Sequence, residues 1–172
     1  PVTIGKNPRF VAVIPARRVD LAGRIALHHG KGNIISGPME LIDSFLGAQI
    51  SKNGRVIFGL PSRNLNNRPN IRLSIERFHN QFGFEESIDM VVTEYGTAML
   101  NGLSIRERAM ALIEIAHPDD RQKLFNQASE KNIFYPDQIF LLESSRLYPL
   151  EIDEQRTFKN EVNVRFRPIK SS

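Results

Sequence analysis

The chain has 172 residues, 41% of them hydrophobic and 24% charged, with a formal net charge of +4 and no cysteine. This suits one soluble α/β domain with a real core, and it excludes disulfides, thiolate metal sites and thiol nucleophiles. No apolar run approaches the roughly 20 residues of a membrane helix, and no signal-peptide pattern is present. A membrane is therefore not an expected partner, and a reducing cytoplasm is the expected location. Basic residues are scattered apart from Arg17-Arg18 and Arg165/Arg167. With no basic stripe interleaved with aromatics, nucleic acid is not an expected partner either. A phosphate-bearing small ligand would need only two or three of these arginines. The chain opens on Pro1 and closes on Lys170-Ser171-Ser172, and is expected to be an excised piece of a longer polypeptide.

In chain order, Phe10 to Ile14 (FVAVI) is the first short apolar run, followed by Asn33 to Ile35, Val56 to Phe58 and Met90 to Val92. Their β-branching and brevity predict strands. Most are continuous rather than alternating, the pattern of a parallel sheet buried on both faces. A helix is predicted from Pro38, a residue suited to the first helical position, to about Ala48, with Leu41, Ile42, Phe45 and Leu46 as its stripe. Pro61 to Pro69, PSRNLNNRP, reads as loop. Ile71, Leu73 and Ile75 alternate with polar residues and predict a short, half-exposed strand. Ser104-Ile-Arg-Glu107 is a capping box, followed by Ile105, Ala109, Leu112, Ile113 and Ala116 at helical spacing. Another helix is predicted from Pro118, with Asp119 and Asp120 against its positive dipole end and Leu124, Phe125 and Ala128 facing inward.

After Asn132 the helical periodicity disappears. Gln155 to Ile169 alternates polar and apolar residues around Lys159-Asn160-Glu161 and predicts a β-hairpin. The expected fold is a mostly parallel open α/β sheet covered by helices over residues 1–147. Residues 148–172 form a hairpin-like extension.

In an open α/β sheet, ligands bind beyond the carboxyl ends of the strands. There the sequence places Pro15-Ala-Arg17-Arg18, Ser36-Gly37-Pro38, Gly59-Leu-Pro61-Ser62 and Thr93-Glu94-Tyr95-Gly96. Three of these loops carry glycine, which lets a ligand approach the backbone closely. The amino end of the Pro38 helix suits a phosphate or a developing oxyanion. The candidate binding residues are Ser36, Gly37, Gly59, Pro61, Ser62, Glu94, Tyr95 and Gly96.

Each also has a plainer reading. Glu94 can cap or ion-pair at a strand end, and Gly96 can be a turn residue. Ser62 lacks the flanking glycines of a nucleophile elbow. His28-His29 has no carboxylate at ligand spacing, so no metal site is expected. His117, before a proline, reads as a residue leading into a helix. No Walker A or G-x-G-x-x-G pattern occurs.

Val91-Val-Thr-Glu-Tyr-Gly96, Asn101-Gly-Leu-Ser-Ile-Arg-Glu-Arg-Ala109 and Ala111-Leu-Ile-Glu-Ile-Ala-His-Pro-Asp119 resemble the C-terminal half of the acetyl-CoA hydrolase / CoA-transferase family. Val19-Asp-Leu-Ala-Gly23 and Gly59-Leu-Pro-Ser62 resemble two further segments of it. The resemblance runs from about Asn7 to Leu124. It implies acyl-CoA as substrate, no covalently bound cofactor, and a glutamate that passes through an acyl anhydride to a glutamyl-CoA thioester. The C-terminal half is then expected to bind CoA and help build the oxyanion hole.

The family's nucleophile belongs to a motif upstream of the Val19 segment, and nothing before Val19 matches it. No catalytic residue is therefore expected here, and Glu94 is expected to order the crevice loop. The chain also departs from the family pattern. Met39 and Glu40 stand where a glycine pair is expected, and Asn64 to Pro69 lacks the expected glycine and serine. A non-catalytic, acyl-CoA-sensing or scaffolding module is thus the alternative. Val162-Asn-Val-Arg-Phe-Arg-Pro-Ile169 resembles the first strand of a GNAT-type N-acetyltransferase domain. Expected partners are acyl-CoA, the upstream half, a downstream acetyltransferase domain and, as a homodimer, a second copy. The acyl chain and the acceptor are not legible.

Overall fold

A computed structural model of the chain describes residues 1–27, 38–77, 81–82, 88–136 and 138, with backbone alone for 38–40 and 81–82. All of these belong to one unit, Pro1–Phe140. The expected strand at Asn33–Ile35, the His28-His29 pair, the hairpin at Gln155–Ile169 and the boundary at Leu147 lie outside the described residues.

The elements are α1 (Val2–Gly5), β1 (Val11–Asp20), β2 (Ile25–Leu27), α2 (Pro38–Ile50), β3 (Arg55–Gly59), β4 (Ile71–Arg72), β5 (Gln81–Phe82), β6 (Met90–Thr93), β7 (Gly96–Met99), α3 (Ile105–Glu114) and α4 (Pro118–Glu130). They build an open sheet in the order β5-β2-β1-β3-β6-β7, with β4 also paired to β1. The central pairings, β1 with β3 and β3 with β6, are parallel, as is β1 with β4. Those of β2 with β1, β5 with β2 and β7 with β6 are antiparallel. This is the open sheet, parallel at its centre and flanked by helices, that the apolar runs implied.

The core is continuous. Phe58 of β3, Val91 of β6, Phe45 of α2, and Leu112 and Ile113 of α3 belong to one buried cluster. Burying each such side chain fully is worth about 1.5–3 kcal/mol. The capping box forms as predicted: Glu107 Oε2 accepts the Ser104 N–H at 2.8 Å, and Ser104 Oγ accepts the Glu107 N–H. In α4, Leu124, Phe125 and Ala128 are buried as expected, and so is Arg121.

Two expectations need correction. The first concerns β1. FVAVI is not followed by a loop at Pro15-Ala-Arg17-Arg18, because the strand continues to Asp20. Val11–Pro15 pair with β3, then Ala16–Val19 pair with β2 across an irregularity between Ala16 and Arg18. Proline, lacking an N–H, is tolerated at such a change of partner. Nor is this strand buried on both faces: Ala12, Ile14 and Ala16 are, but Val11 and Val13 are 47% and 68% exposed. The described helices leave that face open, which sheets with antiparallel members tolerate.

The second concerns Thr93–Gly96, expected as a loop. Thr93 ends β6 and Gly96 begins β7, so the chain turns back at once, with Thr93 opposite Gly96. Glu94 and Tyr95 form the two-residue tip of a hairpin, and Gly96, at φ +144°, takes the conformation L residues rarely adopt. At the alternating stretch, β4 covers only Ile71–Arg72, although Ile71 and Ile75 are both buried.

Candidate functional site

The parallel pairing of β3 with β6 brings their carboxyl ends together. Gly59 is level with Val92, and the Leu60 N–H donates to the Val92 carbonyl at 3.1 Å. The Pro61-Ser62 segment therefore runs alongside the β6–β7 tip. Glu94 grips it: Oε2 accepts the Ser62 N–H at 2.8 Å, and Oε1 accepts the Ser62 hydroxyl at 2.5 Å. Ser62 is almost wholly buried. Behind it, the Asn70 N–H donates to the Ser62 carbonyl at 2.8 Å, and Asn70 Nδ2 donates to the Pro61 carbonyl at 2.9 Å.

Partial burial pushes the Glu94 carboxyl up. The hydrogen bonds from the Ser62 hydroxyl and backbone, from its own backbone, and the attraction of His117 outweigh that, so the group lies below its ordinary value. An ionised, acceptor-only carboxylate already gripping two donors is a poor nucleophile and a good clamp.

The tip is tied to the helices as well. The Thr93 hydroxyl donates to the Ile115 carbonyl at 2.7 Å and accepts the Tyr95 N–H at 3.1 Å. The Tyr95 ring meets His117 edge-on at 5.4 Å, and the Arg121 guanidinium carbon lies 5.7 Å from the same ring's centroid. Arg121 is fixed in turn by its Nε, which donates to the Ala116 carbonyl at 3.0 Å. Burial and the nearby Glu94 charge raise the Tyr95 phenol above its usual value. His117 caps α4, its Nδ1 accepting the Asp119 N–H at 3.3 Å. Next to Ser62, Arg63 makes a two-point bond to Asp120, Nε to Oδ2 at 2.8 Å and Nη2 to Oδ1 at 2.9 Å. That fork fixes the β3 loop to α4.

Six of the eight predicted residues, Gly59, Pro61, Ser62, Glu94, Tyr95 and Gly96, thus gather at one rim, while Ser36 and Gly37 lie outside the described residues. Sequence reasoning missed the supporting partners Asn70, Thr93, Arg63, Asp120 and Arg121. Only His117 carried a signal, its place before the helix-starting proline. Two hollows, of about 360 Å³ beside β1 and α2 and about 400 Å³ between β4 and α4, are not lined by Ser62, Glu94 or Tyr95.

Residues 1–128 match the family described as the acetyl-CoA hydrolase/transferase C-terminal domain. The chain belongs to that family. This C-terminal domain is 34% identical to the 4-hydroxybutyrate coenzyme A transferase of Clostridium kluyveri, over 76% of the chain and 31% of that protein. It is 33% identical to the butyryl-CoA:acetate CoA-transferase of Anaerostipes caccae, over 73% of the chain and 29% of that protein. The crystal structure of RipA from Yersinia pestis superimposes with a TM-score of 0.66 at 30% identity, covering 78% of the chain and 29% of RipA. The chain therefore spans about a third or less of the length of these relatives. CoA thioesters are the substrates of such CoA-transferases. Among the described residues, no helix is long and apolar enough to cross a membrane.

Proposed function

We propose that the chain is the CoA-binding half of an acyl-CoA hydrolase or CoA-transferase. Its rim of Gly59, Pro61, Ser62, Glu94, Tyr95 and Gly96 receives the acyl-CoA, with Ser36 and Gly37 as the further contacts that the sequence suggests. The observation that carries this reading is the pair of hydrogen bonds that Ser62 donates to Glu94 in a family whose relatives include named CoA-transferases. It holds the β3 loop at the rim where the sheet's parallel strands end.

In the whole protein, the upstream half supplies the reacting glutamate. Residues 1–18 contain no glutamate, and Glu94 is committed to Ser62. The upstream carboxylate attacks the thioester carbonyl and expels CoA as thiolate, leaving an acyl-glutamyl anhydride. The thiolate attacks the glutamyl carbonyl, releasing the acyl group as a carboxylate and leaving a glutamyl-CoA thioester. An acceptor carboxylate then takes CoA by the reverse pair of steps, or water hydrolyses the thioester. This chain positions CoA and helps stabilise the oxyanions, and alone it does not turn over. Residues 148–172 are the linker and first strand of a fused GNAT-type acetyltransferase domain, a reading supported by Val162 to Ile169. The protein is cytoplasmic and pairs as a homodimer.

A non-catalytic acyl-CoA module is the second reading, favoured by Met39 and Glu40 in place of a glycine pair. Calorimetric titration with CoA tests the shared premise: heat of binding is expected, and none at about 1 mM CoA would overturn both readings. Restoring turnover by adding the upstream half separates them.

A further inference from the structure

The two side chains at the tip of the β6–β7 hairpin reach different parts of the fold. Glu94 meets Ser62 of the β3 loop, and Tyr95 meets His117 in the turn between α3 and α4. The Tyr95 and His117 rings stand at 80° with centroids 5.4 Å apart, inside the range of about 4.5–7 Å that suits an edge-to-face pair. Arg121, one turn further along α4, is a second neighbour of the same ring at 5.7 Å, within the roughly 6 Å reach of a cation–π contact.

These groups are themselves fixed. The Thr93 hydroxyl holds the Tyr95 backbone and ties it to the Ile115 carbonyl. The His117 ring is oriented by its own bond, Nδ1 accepting the Asp119 N–H, and the same atom lies 3.4 Å from Asp119 Oδ2. Arg121 is anchored through Nε to the Ala116 carbonyl. Tyr95 nevertheless keeps 37% of its surface exposed. A ring held on two sides and open elsewhere is preorganised, so a ligand that meets it does not have to order the side chain. His117 thus carries two roles that chemistry can separate. Capping α4 needs an acceptor atom, whereas seating Tyr95 needs a flat ring.

We infer that His117 is a positioning residue of the rim: its ring seats Tyr95 in the orientation in which Tyr95 meets the ligand, and this role is independent of its capping bond to α4. The inference rests on the proposed function, which makes Tyr95 a ligand contact. His117 acts through Tyr95 and makes no contact with the ligand itself.

The test is calorimetry on the full 172-residue chain with CoA as the probe, beside NMR of the Tyr95 ring and of the Asp119 amide. His117→Phe keeps a flat ring and loses the acceptor. His117→Asn keeps an acceptor, in a residue type favoured at helix starts, and loses the ring. His117→Phe should leave the Tyr95 ring resonances in place and CoA affinity within about twofold of native, while the Asp119 amide exchanges faster. His117→Asn should keep that amide protected, move the Tyr95 resonances towards those of an exposed tyrosine, and weaken CoA about fivefold, the scale of one aromatic pair. Tyr95→Leu should weaken CoA at least as much. Adding His117→Asn to it should change affinity no further, because the second residue works through the first.

Equal losses in His117→Phe and His117→Asn would mean that affinity follows the helix cap, which overturns the inference. CoA binding that His117→Asn leaves unchanged overturns it as well, while sparing the proposed function. A further loss on the Tyr95→Leu background would make His117 a direct ligand contact, and the positioning role falls. The Tyr95 cycle decides the question even where far-UV circular dichroism shows that His117→Phe does not fold. A native chain that binds no CoA at about 1 mM overturns both the inference and the proposed function.

Discussion

Asp20 and Glu94 are both carboxylates at strand ends, and they do opposite work. Asp20 is buried to 0% exposure and gathers three backbone N–H groups and the Arg24 guanidinium. It knits the turn after β1 to the segment after β4. Glu94 sits at an exposed hairpin tip and takes two donors from a single residue, Ser62. A carboxylate surrounded by donors holds the fold. One at the rim, reaching to a buried serine, holds a loop in place where a ligand can meet it. If that contrast is right, removing the first should destroy stability broadly, and removing the second should loosen one loop.

The largest effect is therefore expected from Asp20→Ala. It leaves three backbone donors and Arg24 Nε without their acceptor, while Arg24 Nη1 keeps its bond to Glu76, which should cost about 3–5 kcal/mol. Urea denaturation checks this through a lower midpoint at unchanged slope. A loss below about 1 kcal/mol would erase the distinction between the two carboxylates.

Next comes the clamp. Glu94→Gln and Ser62→Ala should each cost about 1–2 kcal/mol, with a coupling of about 1 kcal/mol in the double-mutant cycle. Amide exchange should quicken at Ser62 far more than in the core of β3. A coupling near zero would mean the two residues are neighbours rather than partners.

The same pair carries a pH signature. The folded Glu94 carboxyl lies below its ordinary value. Its contribution is thus complete above the unfolded carboxylate pKa, about 4.3, and is lost as pH falls through the lower folded value. The Ser62 amide resonance should titrate below the usual glutamate range, and Glu94→Gln should abolish that titration. Titration at or above the ordinary value would contradict the clamp.

The sequence made this contrast only half legible. The carboxyl ends of β3 and β6 could be located because their apolar runs stop at Gly59 and Thr93, and an α/β sheet puts ligands there. The capping box and His117 could be read because helix starts depend on local chemistry. What stayed hidden depends on register. That Glu94 reaches Ser62 follows from β3 pairing with β6, a contact between residues 32 apart. The role of Asp20 depends on Ile75, 55 residues away. The immediate hairpin after β6 was missed because Glu-Tyr is not a turn pair that propensity favours; only Gly96 marks it. The extension of β1 through Pro15 was missed because the strand changes partner there, and no local pattern encodes a partner.

The smallest expected effect tests whether surroundings alone set the sign of a carboxylate's contribution. Glu114, in the last turn of α3, is partly buried. Burial raises its pKa, and the attraction of Arg121 offsets this only in part. The sign is opposite to that of Glu94. A folded acid with a raised pKa binds its proton more tightly than the unfolded chain does, so stability declines as pH climbs from the unfolded value through the folded one. Its position also sets its charge against the negative end of the helix dipole. Glu114→Gln should therefore raise stability near neutral pH by a few tenths of a kcal/mol, roughly the scale of a helix-end charge. The gain should shrink to nothing when the native side chain is protonated in acid. Thermal melts of both proteins across that range check it. A variant less stable at neutral pH would show that Glu114 is held by Arg121 as firmly as Glu94 is held by Ser62.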